Sequence, residues 1–371
     1  MNARMIFLWA VSVAGLACGS DSQETAVTPA HIEAVQQAQY DEIERYLDRQ
    51  VIEADKARQA AWQRDYSSLE AYEHSIDRWR NRLWELLGGK PYGPTDLNTR
   101  QELIARFDTH SAYRVWFTAF EGVQTYGIVL VPQGKGPFPA LICVHGMAGT
   151  PEGVCGLADP DYHNRFGLKA AERGYIAFAP LDMNTQKKRV WLDRKATLVG
   201  QRLQGMEQYK MVRVVDYLVS RPDVDARHIG AYGISWGGRT VMNLGALDRR
   251  IAAVAISGHF NDLVPKMVTP NANSSAYIQT PEEYAFFSDH FRLFNDADVV
   301  SLICPRPVFI EQGRQDHTAW WERSTAAFRE VKAIYDRLGI GDRAAYSMFD
   351  GPHEIHGVES FQFFDKWLKA K

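Results

Sequence analysis

Along the first hundred residues, apolar side chains recur at steps of three and four. Tyr40, Ile43, Leu47 and Val51 form one stripe behind Thr28 and Pro29, a capping hydroxyl followed by a proline in the first helical position. Leu69, Tyr72, Ile76, Trp79 and Leu83 form a second, opened by Ser67 and Glu70 as a capping box and closed by Gly88, Gly89 and Pro91. The two stripes predict an amphipathic helical extension over residues 28–99, its aromatic residues serving as packing surface.

The rhythm changes near residue 101. "ELIARF", "YRVWFTAF" and "YGIVLVP" are short β-branched and aromatic runs between turn-prone residues, which predicts antiparallel strands. From "PALICVHG" onward, continuous apolar runs ("YIAFAP", "IGAYGI", "AAVAIS", "PVFIEQG", "AAYSMFD") alternate with helical stretches such as "GMEQYKMVRVVDYLVSRP" and "STAAFREVKAIYDRLG". Strands buried on both faces read this way, so residues 100–371 are expected to form an α/β domain around a mostly parallel central sheet flanked by helices. One connection, residues 258–302, is far longer than the others and carries Phe260, Tyr277, Tyr284, Phe286, Phe287, Phe291 and Phe294. Its length predicts an aromatic lid-like insertion beside a pocket, the plainer alternative being a cover for a core edge.

The first residues form a separate pattern. Arg4 precedes an apolar run from Met5 to Leu16, and small residues lead to Ala17, so residues 1–17 are expected to be a signal peptide and 18–27 a polar linker. The same segment is similar to a bacterial lipoprotein signal, which implies a lipidated Cys18 and membrane attachment. The chain is therefore expected to be exported: periplasmic, an outer-membrane lipoprotein or extracellular. With 46% hydrophobic residues in 371, there is ample material for a core, and a net charge of -3 with interspersed signs gives no reason to expect nucleic acid. Beyond Cys18, only Cys143, Cys155 and Cys304 remain, with no paired spacing, which argues against a zinc site and leaves any single disulfide unassigned.

"AYGISWGGRT" places Ser235 between Gly233 and Gly237, directly after a buried strand and before a helical stretch. A serine can be raised above a sheet only by a sharp strand-to-helix turn, and glycines two residues away on either side relieve the crowding of that turn. The hydroxyl is a weak nucleophile without a base. Asp316, in the loop after "PVFIEQG", and His353, in the loop after "AAYSMFD", follow it in the order acid, then histidine. His356 is the rival base, expected in the first turn of the last helix; Asp350 is the rival acid; His317 is expected to be solvated. "HEIH" departs from H-E-x-x-H and has no evident third ligand, which sets metal aside. The backbone amides of Trp236 and Met147, the latter from "VHGMAGT", are the candidate oxyanion donors, with His145 holding that loop.

With "CVHGMAG", "GISWGG", "EQGRQD" and "GPHEIHG", the chain resembles the α/β-hydrolase superfamily over about residues 100–371, and within it the dienelactone-hydrolase-like and acetyl xylan esterase-like branch. Serine stands where true dienelactone hydrolases carry cysteine, and Trp236 where the deacetylases carry glutamine. The resemblance implies a cofactor-independent serine carboxylic ester hydrolase using Ser235, Asp316 and His353. Its expected substrate is a small-molecule or carbohydrate ester, with the exposed-looking "HTAWWE" a candidate sugar-stacking stretch. Two alternatives are a serine peptidase of the prolyl-oligopeptidase kind and a non-catalytic surface binding protein on the same scaffold.

Overall fold

Among the described residues, nine strands form one sheet in the order β1-β2-β3-β5-β4-β6-β7-β8-β9. The structure is a computed structural model and describes residues 28–90, 96–183, 185–271 and 274–369; the expected signal peptide, Cys18 and the expected linker fall outside them. β1 (Arg100–Arg106), β2 (His110–Phe120) and β3 (Val123–Pro132) run antiparallel, and β3 pairs antiparallel with β5 (Ile176–Pro180). From β5 onward every pairing is parallel, through β4 (Phe138–Val144), β6 (Val224–Ile234), β7 (Ile251–Ser257), β8 (Val308–Gly313) and β9 (Ala344–Phe349). This is the α/β-hydrolase architecture expected from the sequence.

Alternate residues along each strand face opposite sides, so the sheet has two cores. Val129, Ile142, Val144, Val254, Ile256 and Ile310 face the helices Leu203–Ser220, Trp236–Leu247 and Trp321–Arg337, while Ile128, Leu141, Cys143, Tyr232, Ala255 and Phe309 face Phe166–Glu172 and Val358–Leu368. Every residue of β5 and β8 is buried, because helices cover both faces there. Each fully buried large apolar side chain contributes about 1.5–3 kcal/mol. Cys143, Cys155 and Cys304 are buried free thiols.

Two compact units divide at Gln50 and Val51. What is described of the first is helix, the start of Pro29–Ala61, on which Tyr40, Ile43 and Leu47 are exposed; that stripe is not a packed face. Within the second unit, the helix Leu69–Leu86 buries Tyr72, Ile76, Trp79 and Leu83, and Trp79 stacks on Trp62 at 4.4 Å. Its cap is Ser68, whose side chain accepts from the Ala71 amide, and not Ser67, whose amide donates instead to Asp65. The long connection folds into short helices, Leu263–Val268, His290–Leu293 and Asp296–Ser301, with 3-10 turns between them. Phe260, Phe294 and Tyr284 are buried, so much of its aromatic content is core. Among the described residues, no helix is long and apolar enough to cross a membrane.

Candidate active site

β6 ends at Ile234 and the next helix begins at Trp236, so Ser235 alone makes the turn, at φ 58 and ψ -125. A non-glycine residue in such a conformation costs about 1–3 kcal/mol and persists only where its surroundings enforce it. Two contacts do so: the Ser235 amide donates to the Ser257 carbonyl at 2.9 Å, and the Arg239 amide closes the first helical turn on the Ser235 carbonyl. The flanking glycines are required by close approach. A Cβ on Gly233 would overlap the Gly237 carbonyl, and one on Gly237 the carbonyls of Val144 and His145.

His353 Nδ1 donates to Asp316 Oδ2 at 2.7 Å. The other Asp316 oxygen accepts from the Thr318 amide and hydroxyl, both at 2.7 Å, and Gln312 Nε2 also donates to Oδ2. Burial works to raise the Asp316 pKa, but the hydrogen bonds from His353 and Thr318 outweigh it and hold the carboxyl below its ordinary value. With Nδ1 committed to the acid, the imidazole keeps its Nε2 lone pair free, and no residue among those described hydrogen-bonds it.

The parts converge at the carboxyl ends of the parallel strands, where open α/β sheets hold their ligands. Gly258 follows Ser257, to which Ser235 is tied, and a Cβ on it would lie 2.9 Å from Cε1 of His353. A Cβ on Gly146 would lie 3.0 Å from that of Ser235, which sets the loop after β4 against the serine. Tyr162 links this loop to the base: its hydroxyl donates to the Met147 carbonyl at 2.7 Å and its ring stacks on His353 at 5.6 Å. His145 holds the loop as expected, Nδ1 donating to the Gly146 carbonyl and Nε2 accepting from the Asp182 amide. Burial lowers its pKa, consistent with a neutral ring in that bridging role.

His356 departs from its expected place. It precedes the last helix, which starts at Val358, and its exposed ring stacks on Phe349 at 4.5 Å while its amide donates to Glu311. Gly357 takes the cap position at φ 78, a conformation that glycine adopts freely, so the chain turns before the helix begins. The two histidines of "HEIH" therefore point to different partners. Asp350 accepts from Gln315 on the surface, and His317 is exposed.

Several residues escaped the sequence reading. His163 Nε2 accepts from the Gly146 amide at 3.0 Å, and burial brings its pKa to about 4. Glu311 is buried in β8 and accepts hydrogen bonds from the Tyr232, Ser257 and Ser360 hydroxyls and from the His356 and Gly357 amides, anchoring the segment that follows His353. A single charge inside the apolar run "PVFIEQG" was the signal for it. The helix Gln186–Thr197 was also missed, its hydrophobic period being weak; it carries Arg189, whose guanidinium pairs with both oxygens of Glu207 and lies 4.4 Å from the Trp236 ring. A cleft of about 310 Å³ lies beside Asp316, lined in part by Arg314, His317, Trp320 and Trp321. A larger recess of about 640 Å³ around Arg64 and Arg337 shares no residue with this site.

Residues 106–332 match the model of the Abhydrolase family. YtaP of Bacillus subtilis (strain 168), a protein with a provisional hydrolase name, is 25% identical over 249 residues, covering 63% of this chain and 80% of its own. Among solved structures, a glucuronoyl esterase from Solibacter usitatus superposes with a TM-score of 0.62 at 14% identity, over 82% of this chain and 93% of its own. An acetyl xylan esterase from Paenibacillus sp. R4 does so with a TM-score of 0.53 at 18% identity, over 83% and 98%. At these identities the superpositions speak to the fold.

Proposed function

The chain belongs to the Abhydrolase family, and from that premise we propose that it is an exported serine carboxylic ester hydrolase working through an acyl-enzyme. The observation that carries the reading is the Asp316–His353 hydrogen bond of 2.7 Å beside a serine held in a strained strand-to-helix turn. Ser235 Oγ attacks the ester carbonyl, and His353 Nε2 takes its proton and returns it to the leaving alcohol. Asp316 stabilises the imidazolium. The amides of Trp236 and Met147 hold the oxyanion: Trp236 opens a helix, so its amide has no intrahelical acceptor and the helix dipole favours negative charge there. Water, activated by the same histidine, then releases the acyl group.

Initial rates on p-nitrophenyl acetate and longer-chain esters test this. Hydrolysis by the mature protein that disappears in Ser235→Ala and His353→Ala supports it, whereas activity surviving Ser235→Ala removes the serine from the chemistry.

The substrate in this reading is a carbohydrate ester, supported by the half-buried Trp320 and Trp321 beside the cleft next to Asp316. Trp320→Ala and Trp321→Ala should then impair acetylated sugars more than aryl acetates; equal effects on both would remove the sugar from the proposal. In the same reading, residues 1–17 direct export, the chain from Cys18 is the mature enzyme, and 258–302 is its lid. Intact mass of the cell-derived protein checks the cut and any lipid on Cys18.

A further inference from the structure

Among the described residues, five arginines are less than a tenth exposed: Arg58, Arg80, Arg189, Arg213 and Arg239. Four of them have evident partners. Arg58 pairs with Asp298, Arg80 donates to the Leu302 carbonyl, Arg189 pairs with Glu207 and Arg213 with Asp216. Arg239, 5% exposed, forms no ion pair and no side-chain hydrogen bond to any described carboxylate or carbonyl.

Arg239 donates a hydrogen bond to the Tyr277 hydroxyl but pairs with no anion among the described residues; a buried cation without an anionic partner is expensive, and a protein retains one where something else supplies the negative charge. The surroundings do not supply it. Arg239 lies 5.1 Å from the Trp236 ring and 5.4 Å from that of Phe287, with the Tyr277 hydroxyl facing it. Asp296 is the carboxyl that faces it, beyond ion-pair distance, and burial lifts that carboxyl to about 7 despite the pull of Arg239. Arg189, also nearby, adds positive potential. Two further polar atoms in this wall, Trp236 Nε1 and the Tyr284 hydroxyl, have no hydrogen-bond partner.

The location is the helix that the proposed nucleophile opens. Arg239 stands one helical turn after Ser235 and its guanidinium lies near the ring of Trp236, whose amide is the proposed oxyanion donor. His259, buried just after Gly258, senses both Arg239 and His353. We propose that Arg239 is a specificity residue that pairs with a free carboxylate on the substrate, making the preferred ester an acidic one. The assignment rests on the esterase reading and names its substrate class. It is invisible to the net charge of the chain, because it concerns one guanidinium and not a basic surface.

Two matched pairs of esters test it. Mono-p-nitrophenyl glutarate against p-nitrophenyl pentanoate places the carboxylate on the acyl side, and 4-acetoxybenzoate against its methyl ester places it on the leaving group. The wild-type enzyme should prefer the acidic member of at least one pair by roughly tenfold or more in kcat/KM, with that preference weakened by added salt. In Arg239→Gln the acid-to-neutral ratio should collapse by about the same factor, and Arg239→Lys should restore part of it. Preference for the neutral member in both pairs, or equal losses on both members in Arg239→Gln, overturns the proposal while leaving the esterase intact.

A binding measurement separates the two readings. Ser235→Ala protein, which cannot turn over, should gain thermal stability with glutarate or 4-hydroxybenzoate, and the Ser235→Ala/Arg239→Gln protein should not. No shift in Ser235→Ala overturns the Arg239 assignment whatever the rates show. Failure of the wild-type enzyme to hydrolyse any of the four esters counts against the esterase reading instead.

Discussion

A Cβ placed on Gly258 would lie 2.9 Å from Cε1 of His353 and 3.2 Å from Oδ2 of Asp316. At φ +55, the backbone there is also one that side chains rarely adopt. Gly258→Ala should therefore push the imidazole away from the serine. The expected outcome is a loss of at least about 100-fold in kcat with about 1–2 kcal/mol of stability, because a displacement of about 1 Å in a catalytic group has that effect. Steady-state kinetics beside a denaturant titration checks both; full activity in a folded variant would mean the ring does not need that position.

The two histidines of "HEIH" make opposite demands. His353→Ala should abolish ester hydrolysis, while His356→Ala, which removes only a ring stacked on Phe349, should change kcat/KM by less than about threefold. The reverse result would exchange the roles assigned to them.

Asp316→Asn keeps the shape of the acid and removes its charge. A fall of about 10⁴ in kcat is expected, because an amide favours the wrong imidazole tautomer. The pH dependence of stability has a fixed sign. The folded pKa of Asp316 lies below its unfolded value, so this group contributes stability that is present above the ordinary aspartate range and lost as pH falls through the folded value. Thermal melts between pH 7 and pH 3 should show wild type losing this contribution at the acid end, with Asp316→Asn lacking it throughout.

Glu311→Gln substitutes an amide, with its own two protons, for a carboxylate surrounded by five donors. At least one buried N–H must then face another donor, at a cost of about 2–5 kcal/mol. A lowered denaturation midpoint accompanied by lower kcat is expected, because the same carboxylate anchors the segment after His353. An unchanged midpoint would show that the network tolerates a neutral group.

Much of the fold was legible because the chain is locally consistent. Continuous apolar runs such as "IGAYGI" predicted strands covered on both faces, and β6 is that strand. Ser235 was legible for the same reason: a strand, a small-residue turn and a helix stand in immediate succession. What escaped depended on contacts between distant segments. The helix with Arg189 has little periodicity because it packs against charged and aromatic groups of the insertion and the elbow helix. His356 was expected inside a helix because its neighbours suit one, yet Gly357 turns the chain first and Glu311 holds it there. That Arg239 has no anionic partner among the described residues is likewise a property of what the fold does not bring near it, which no spacing records.

The most direct test of the central claim is mass spectrometry of the protein after treatment with a fluorophosphonate. The account expects one adduct, mapped to the peptide containing Ser235, with labelling much slower in His353→Ala and absent in Ser235→Ala. An unlabelled wild type that still cleaves esters, or an adduct on another residue that persists in Ser235→Ala, would contradict it.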